Sequence, residues 1–526
     1  MFERVADTVP DREAVVHGER RLTYRALDER ATRLANGLAD LAVSAGDHVG
    51  VLAYDSVEHV ESMLACFKLR AVPVNVNWRY AGAELAYLFD DAQLAALICD
   101  AELRPDVETP KVVVEIGGDY DAVLARSSVA RDFGERSPDD HYVLYTGGTT
   151  GLPKGVVWRQ EDIFFAVLGG GNPGGPPIEA PDDIRRTIVE KPALRLRSFL
   201  PVDDPGPAQF VQLALGPLMH AGGQWSTLGT LLGGGRVVLY PDRHMDLRRV
   251  LDLVERERVV SLNLVGDAHA IPLLEARRAE PDRWDTSSLR LLGSGGSMLS
   301  GHAKQGLMDA FPTVLAISEA VGSSEAPVEA ISITTRAVAP APSLHFTARP
   351  DAAVLDDDLQ PVAPGSGAIG RLATRGRVPI GYHNDAERSA ATFVDIEGER
   401  WTVTGDMAVV EADGTIRLLG RGSMCINTGG EKVYPEEVES VLKTHPAVAD
   451  VLVVARPDDR LGQEVVAIVE AAEHETAPSL EALRSHCRDR LAGYKLPRAL
   501  FVVDRVGRTP SGKPDYDWAR QVIGDG

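Results

Sequence analysis

Tyr145-Thr146-Gly147-Gly148-Thr149-Thr150-Gly151-Leu152-Pro153-Lys154-Gly155 is the stretch on which the reading of this chain turns. The apolar run Tyr142 to Tyr145 before it and Val156-Val157-Trp158 after it read as strands, which places the glycines in a connecting loop. Four glycines let a backbone approach a ligand closely and turn several N–H groups toward one anion. The hydroxyls of Thr146, Thr149 and Thr150 add donors, and Lys154 adds a positive charge. These are the parts of a phosphate cradle. A Walker A loop would need G-x-x-x-x-G-K-[ST], and Leu152 and Pro153-Lys154 break that pattern.

The surrounding 526 residues are enough for several domains with large cores. Hydrophobic residues make up 44% and charged residues 25%, the balance of a globular protein. With 77 acidic against 55 basic residues the net charge is −22, which argues against broad nucleic-acid binding and a polybasic membrane anchor. Phosphates can still bind where one lysine and a cluster of N–H groups meet. Cys66, Cys99, Cys425 and Cys487 form no C-x-x-C pair, so reduced thiols in a cytoplasmic protein are expected. Neither a signal peptide nor an apolar run of membrane-spanning length is expected.

Thr23 reads as the N-cap of a helix carrying Leu27, Ala31, Leu34, Ala35, Leu38 and Leu41. Strands at 47–53, 72–76 and 95–99 alternate with helical patterns, which predicts a layered α/β architecture with a largely parallel sheet. Residues 169–206 begin in a glycine- and proline-rich run and carry little pattern, so they read as a surface insertion in preference to a substrate lid. Asp413-Gly414 marks a hairpin joining the segments around Asp406 and Arg421. Beyond Arg421 the pattern restarts as an α+β unit of about a hundred residues, with Pro435 and Ser479 opening its helices.

The glycine-threonine string resembles the phosphate-binding signature of the adenylate-forming superfamily, which includes acyl-CoA synthetases, aryl-CoA ligases, luciferases and peptide-synthetase adenylation domains. About seven motifs follow in that superfamily's order. The resemblance implies nucleotide binding by Thr146, Gly147, Gly148, Thr149, Thr150, Gly151 and Lys154. It implies a gate at His220, in Pro217-Leu218-Met219-His220, with Trp225 beside the same acyl pocket. Gly295, Gly296 and Ser297 correspond to a turn along substrate and adenine. Val321-Gly322-Ser323-Ser324-Glu325 resembles the aromatic-Gly-x-Thr-Glu motif, whose acid holds the Mg²⁺ carried by ATP. Here Val321 replaces the aromatic residue and Ser324 the threonine. Asp406 would accept bonds from the ribose hydroxyls, with Arg421 as its partner.

The same resemblance implies a large N-terminal domain of several subdomains with layered sheets over residues 1–421, and a small α+β C-terminal domain over 422–526. Gly422-Ser423 would be the hinge. Gly429, Gly430 and Lys432 lie in the loop that rotation brings in for transfer to CoA, and Lys513, in Arg508-Thr509-Pro510-Ser511-Gly512-Lys513, is the adenylation lysine. The expected activity is that of an AMP-forming acyl-CoA synthetase of the fatty-acid or steroid-side-chain type, using ATP, Mg²⁺ and CoA. The alternatives are an acyl-AMP ligase that loads a carrier protein and a non-enzymatic acyl or nucleotide sensor. The acid's identity and the oligomeric state, a homodimer included, stay open.

Overall fold

Residues 1–80, 82–148, 151–172, 175–190, 206–337, 344–428, 431–458, 461–473, 476–488, 490–509 and 512–524 are described by a computed structural model. The helix expected after Thr23 runs Tyr24–Asp40, and the Thr23 hydroxyl accepts the Ala26 N–H. Its stripe of Leu27, Ala31, Leu34, Ala35 and Leu38 is fully buried. Each such leucine contributes about 1.5–3 kcal/mol relative to an exposed one.

Three sheets organise the described residues. The first has seven strands in the order Gly381–Tyr382, Gly151–Arg159, His141–Gly148, Val72–Asn75, His48–Leu52, Ala96–Asp100 and Val112–Ile116. Its last five strands are parallel, and its first three are joined antiparallel. The second sheet, of fourteen strands, is parallel from Glu13–His17 through Ala316–Val321, then turns antiparallel through Glu399–Val410 and Ile416–Arg421. The predicted parallel character therefore holds for the first three-fifths of the chain and ends at Val321.

The C-terminal unit has its own five-stranded sheet, including Val448–Asp458 paired with Gly462–Ala471. The helices Pro435–Leu442 and Leu480–Cys487 cover it, burying Val438, Leu442, Val451, Val465, Leu483 and Cys487 together. The mixed α/β fold with a large first domain and a small second one is thus present. All four cysteines are free thiols, and no described helix is long and apolar enough to cross a membrane.

The region from 169 departs from expectation. Ile178, Ile184 and Ile188 are buried in one cluster with Val5, Leu228 and Leu231. The three isoleucines, spaced over ten residues, anchor the segment on the core by one apolar face, while most of its other residues stay exposed. Residues 191–205 lie outside the described residues.

Candidate active site

The organising stretch is mostly strand. His141–Gly148 and Gly151–Arg159 pair antiparallel, with Thr146 opposite Lys154 and Gly148 opposite Gly151. The loop is therefore shorter than its glycines suggest, because glycine here also serves close packing. A Cβ at Gly155 would lie 2.8 Å from the Tyr145 ring and 3.2 Å from the His383 Cβ. Thr149 and Thr150 are outside the described residues, as is the burial of Gly147, Gly148 and Gly151.

The hairpin delivers Lys154 to Glu325. Lys154 Nζ stands 2.7 Å from Glu325 Oε1 and donates to the Tyr382 hydroxyl at 2.7 Å. That hydroxyl donates to Glu325 Oε1, also at 2.7 Å, and the ammonium sits 4.2 Å from the Tyr382 ring centroid. Burial opposes ionisation of Glu325, but the charge of Lys154 and the bonds from Lys154 and Tyr382 outweigh it and hold the carboxyl below its usual range. A buried carboxylate with this support offers the hard oxygen donor that Mg²⁺ takes one or two of, so Glu325 fits the expected metal.

The turn carrying Glu325 is locally built. Ser323 Oγ accepts the N–H groups of Glu325 and Ala326, and Trp158 Nε1 donates to the Ser324 carbonyl at 3.0 Å. A Cβ at Gly322 would collide with the Pro327 carbonyl. Val321 is half-buried against the group of Leu344 and Phe346.

Asp406 and Arg421 face each other across the hairpin predicted from Asp413-Gly414, and Arg421 Nε donates to Asp406 Oδ1 at 2.9 Å. Asp406 lies foremost among the causes that raise the pKa of the guanidinium. Gly414 has φ +85°, as the turn requires.

From the C-terminal unit, Lys513 reaches this group. Its Cε lies 4.0 Å from where a Cβ on Gly296 would be, and Gly512 packs on Val265 and Ala268. Surrounding protein, then the charge of Arg421, lower the Lys513 pKa, while Glu325 and Asp406 act in the opposite sense. The side chain nevertheless keeps access to solvent, as it would on the wall of a wet cleft. His220, at the N-cap of Ala221–Leu232, also feels Lys513, and burial foremost pushes its imidazole down to about 4. Lys513, Glu325, Asp406, Arg421, His220 and Gly296 thus converge from segments nearly 300 residues apart. Gly295 ends the strand Leu291–Gly295, and Ser297 packs against Gly266.

Trp225 is partly buried and packs against apolar groups that include Tyr142 and Trp158, beside Phe67. Lys432 stands exposed on the strand Glu431–Val433, where its charge is felt at the Cys425 thiol. Gly429 and Gly430 lie outside the described residues.

Two residues of the cluster were not among the expected site residues. Tyr382 is one. The other is Glu329, fully buried, with neither oxygen in hydrogen-bonding geometry and its carboxyl driven well up by burial and then by Asp406. An acid inside Pro327-Val328-Glu329-Ala330-Ile331 was the available signal.

The sequence profile of the AMP-binding enzyme family matches residues 2–382, and that of the AMP-binding enzyme C-terminal domain matches 437–513. A 3-oxocholest-4-en-26-oate–CoA ligase from Rhodococcus rhodochrous is 39% identical over 100% of this chain and 95% of its own. A medium/long-chain-fatty-acid–CoA/3-oxocholest-4-en-26-oate–CoA ligase from Mycolicibacterium smegmatis is 41% identical, covering 99% and 95%. Among solved structures, the anthranilate CoA ligase AuaEII in complex with anthranoyl-AMP superposes with a TM-score of 0.81 at 24% identity, over 99% and 96% of the two chains. That last likeness speaks for the fold.

Proposed function

Because the chain belongs to the AMP-binding enzyme family, we propose that it is an AMP-forming acyl-CoA synthetase whose acid is a medium- to long-chain fatty acid or a steroid side-chain carboxylate. The observation that carries the reading is the approach of Lys513 to Gly296, where its ammonium feels the charges of Arg421, Glu325 and Asp406.

A carboxylate oxygen is a poor leaving group, and replacing it by AMP makes the acyl carbon reactive. One carboxylate oxygen attacks the α-phosphorus of ATP, and the bond to pyrophosphate breaks. Two anions meet in this step, so Lys513 and Lys154 offset repulsion at the phosphates, while Asp406 accepts from the ribose hydroxyls beside Arg421. Glu325 would hold the Mg²⁺ of ATP, which supplies further positive charge to the phosphates. The strands' glycines, with Thr146, Gly147, Gly148, Thr149, Thr150 and Gly151, offer N–H and hydroxyl donors to the same oxygens.

His220, neutral well below pH 7, presents an uncharged face to an apolar acyl chain. In the second step the sulfur of CoA attacks the acyl carbonyl and AMP leaves. Residues 1–421 and 422–526 would turn about Gly422-Ser423 between steps, bringing Gly429, Gly430 and Lys432 in as Lys513 withdraws.

Pyrophosphate release and thioester formation are to be measured with dodecanoate, longer fatty acids, a 3-oxo-steroid acid and benzoate, each with and without CoA. CoA-dependent thioester from the first three, lost in Lys513→Ala, is the expected result. Pyrophosphate release without a thioester would replace this reading with carrier loading, and no turnover would replace it with a sensor.

A further inference from the structure

Lys443 closes the helix Pro435–Leu442 in the C-terminal unit, yet its ammonium is shared with the large domain. Nζ lies 3.1 Å from Asp267 Oδ2 and 3.1 Å from Asp450 Oδ1. The Lys443 and Asp267 side chains are only 5% and 9% exposed. Asp267 is fixed from behind, because its other oxygen accepts the Ser300 N–H at 2.8 Å. Asp450 in turn receives Arg508 through two bonds, Nε at 2.8 Å and Nη2 at 2.7 Å.

Arg508 opens the turn that ends at Lys513. Arg508 bridges to Pro514, the Thr509 N–H donates to the Lys513 carbonyl at 2.8 Å, and the Lys513 N–H donates to Thr509 Oγ1 at 3.2 Å. A line of charge-assisted bonds therefore runs from the first turn of the helix Gly266–Ala279 to Arg508, and neutral hydrogen bonds of Thr509 continue it to the backbone of Lys513.

We propose that Asp267 and Lys443 are positioning residues for adenylate formation: their ion pair clamps the C-terminal unit in the orientation that places Lys513 beside Glu325 and Asp406. The inference rests on the synthetase reading given above. Surface ion pairs hold domains weakly, whereas one this deeply buried is removed only by leaving a charge without its partner. A displacement of about 1 Å at a reacting group can cost roughly 10²-fold in rate. The clamp has no bearing on the thioester step, in which Lys513 is not needed.

Asp267→Asn is the mildest probe, since the amide still accepts from Ser300 and Lys443 keeps Asp450. Lys443→Met removes the clamp from the other side. The two half-reactions are assayed separately: pyrophosphate release from ATP and dodecanoate, and dodecanoyl-CoA formation from supplied dodecanoyl-adenylate and CoA. Both variants should lose about 10- to 100-fold in the first and stay within about twofold of the parent protein in the second. Intact thioester formation shows that the variants are folded. Equal losses in both halves would mark a structural role and overturn the clamp, as would a first half-reaction left unchanged. Lys513→Ala serves as the control. If it leaves pyrophosphate release intact, the assignment of Lys513 fails; if it abolishes release while Asp267→Asn does not, only the clamp fails.

Discussion

Lys154 and Glu325 form a 2.7 Å ion pair, and the Tyr382 hydroxyl bonds to both partners. In the proposed reaction Lys154 must turn toward phosphate and Glu325 toward the metal, so the pair has to open as ATP enters. Tyr382 remains as the group that keeps the carboxylate ionised and aimed. Tyr382→Phe removes both bonds, and with Lys154 turned to phosphate the loss that matters is the one to the carboxylate, about 1.5–3 kcal/mol. A fall of about 10- to 100-fold in kcat/KM for ATP is expected, with half-maximal activity shifted to higher Mg²⁺. Pyrophosphate release titrated against Mg²⁺ checks this, and superimposable curves would make the hydroxyl a bystander.

Asp406 is buried and accepts from Arg421 on the neighbouring strand through Oδ1, so in the proposed reaction Oδ2 is the oxygen that would take the ribose. Asp406→Asn keeps the shape and removes the charge. The KM for ATP should rise at least about tenfold, and the KM for the acid should hardly change, because a lost charge-assisted bond affects the ligand that makes it. Initial rates with each substrate varied in turn separate the two. Equal effects on both would place Asp406 outside the nucleotide site.

Ile188 is 1% exposed and touches the site where a Gly234 Cβ would stand. Truncating a buried isoleucine to alanine costs about 2–5 kcal/mol through lost transfer energy and the cavity left behind. Ile188→Ala is expected to lower the urea midpoint accordingly, with an unchanged slope. A surface insertion, as the sequence suggested for this region, would give less than about 0.5 kcal/mol.

What the sequence made legible follows from what is local. The helix at Tyr24–Asp40 was readable because a cap and a 3.6-residue stripe both lie within it, and the Asp406–Arg421 pair because one Asp-Gly turn sets their register. The motifs also placed Lys513, Glu325 and His220 in one reaction by resemblance, and the fold brings them together. Tyr382 and Glu329 escaped because Tyr382 meets Glu325 57 residues away and Glu329 feels Asp406 77 residues away, neighbours to which no spacing rule points. The anchoring of the 169–206 region escaped for a similar reason: the burial of Ile178, Ile184 and Ile188 depends on Val5 and Leu228, far away in the chain.

His59 is fully buried near the start of the helix Val57–Leu69, and burial pushes its imidazole from 6.5 down to about 4. Between those values the unfolded chain holds a proton that the folded chain refuses, so stability rises with pH through this window. The contribution is complete above about 6.5 and is lost progressively as pH falls toward 4. At roughly 1.4 kcal/mol per pH unit the whole window amounts to about 3 kcal/mol. His220 and His269 are pushed down to about 4 as well, and they remain in a His59 variant. Urea unfolding of His59→Gln and the parent protein between pH 7.5 and 4 therefore isolates one imidazole. The variant's stability should decline less steeply, by up to about 3 kcal/mol over the window, because glutamine takes up no proton in either state. Parallel curves for the two proteins would show that His59 accepts its proton without unfolding and that the acid sensitivity resides elsewhere.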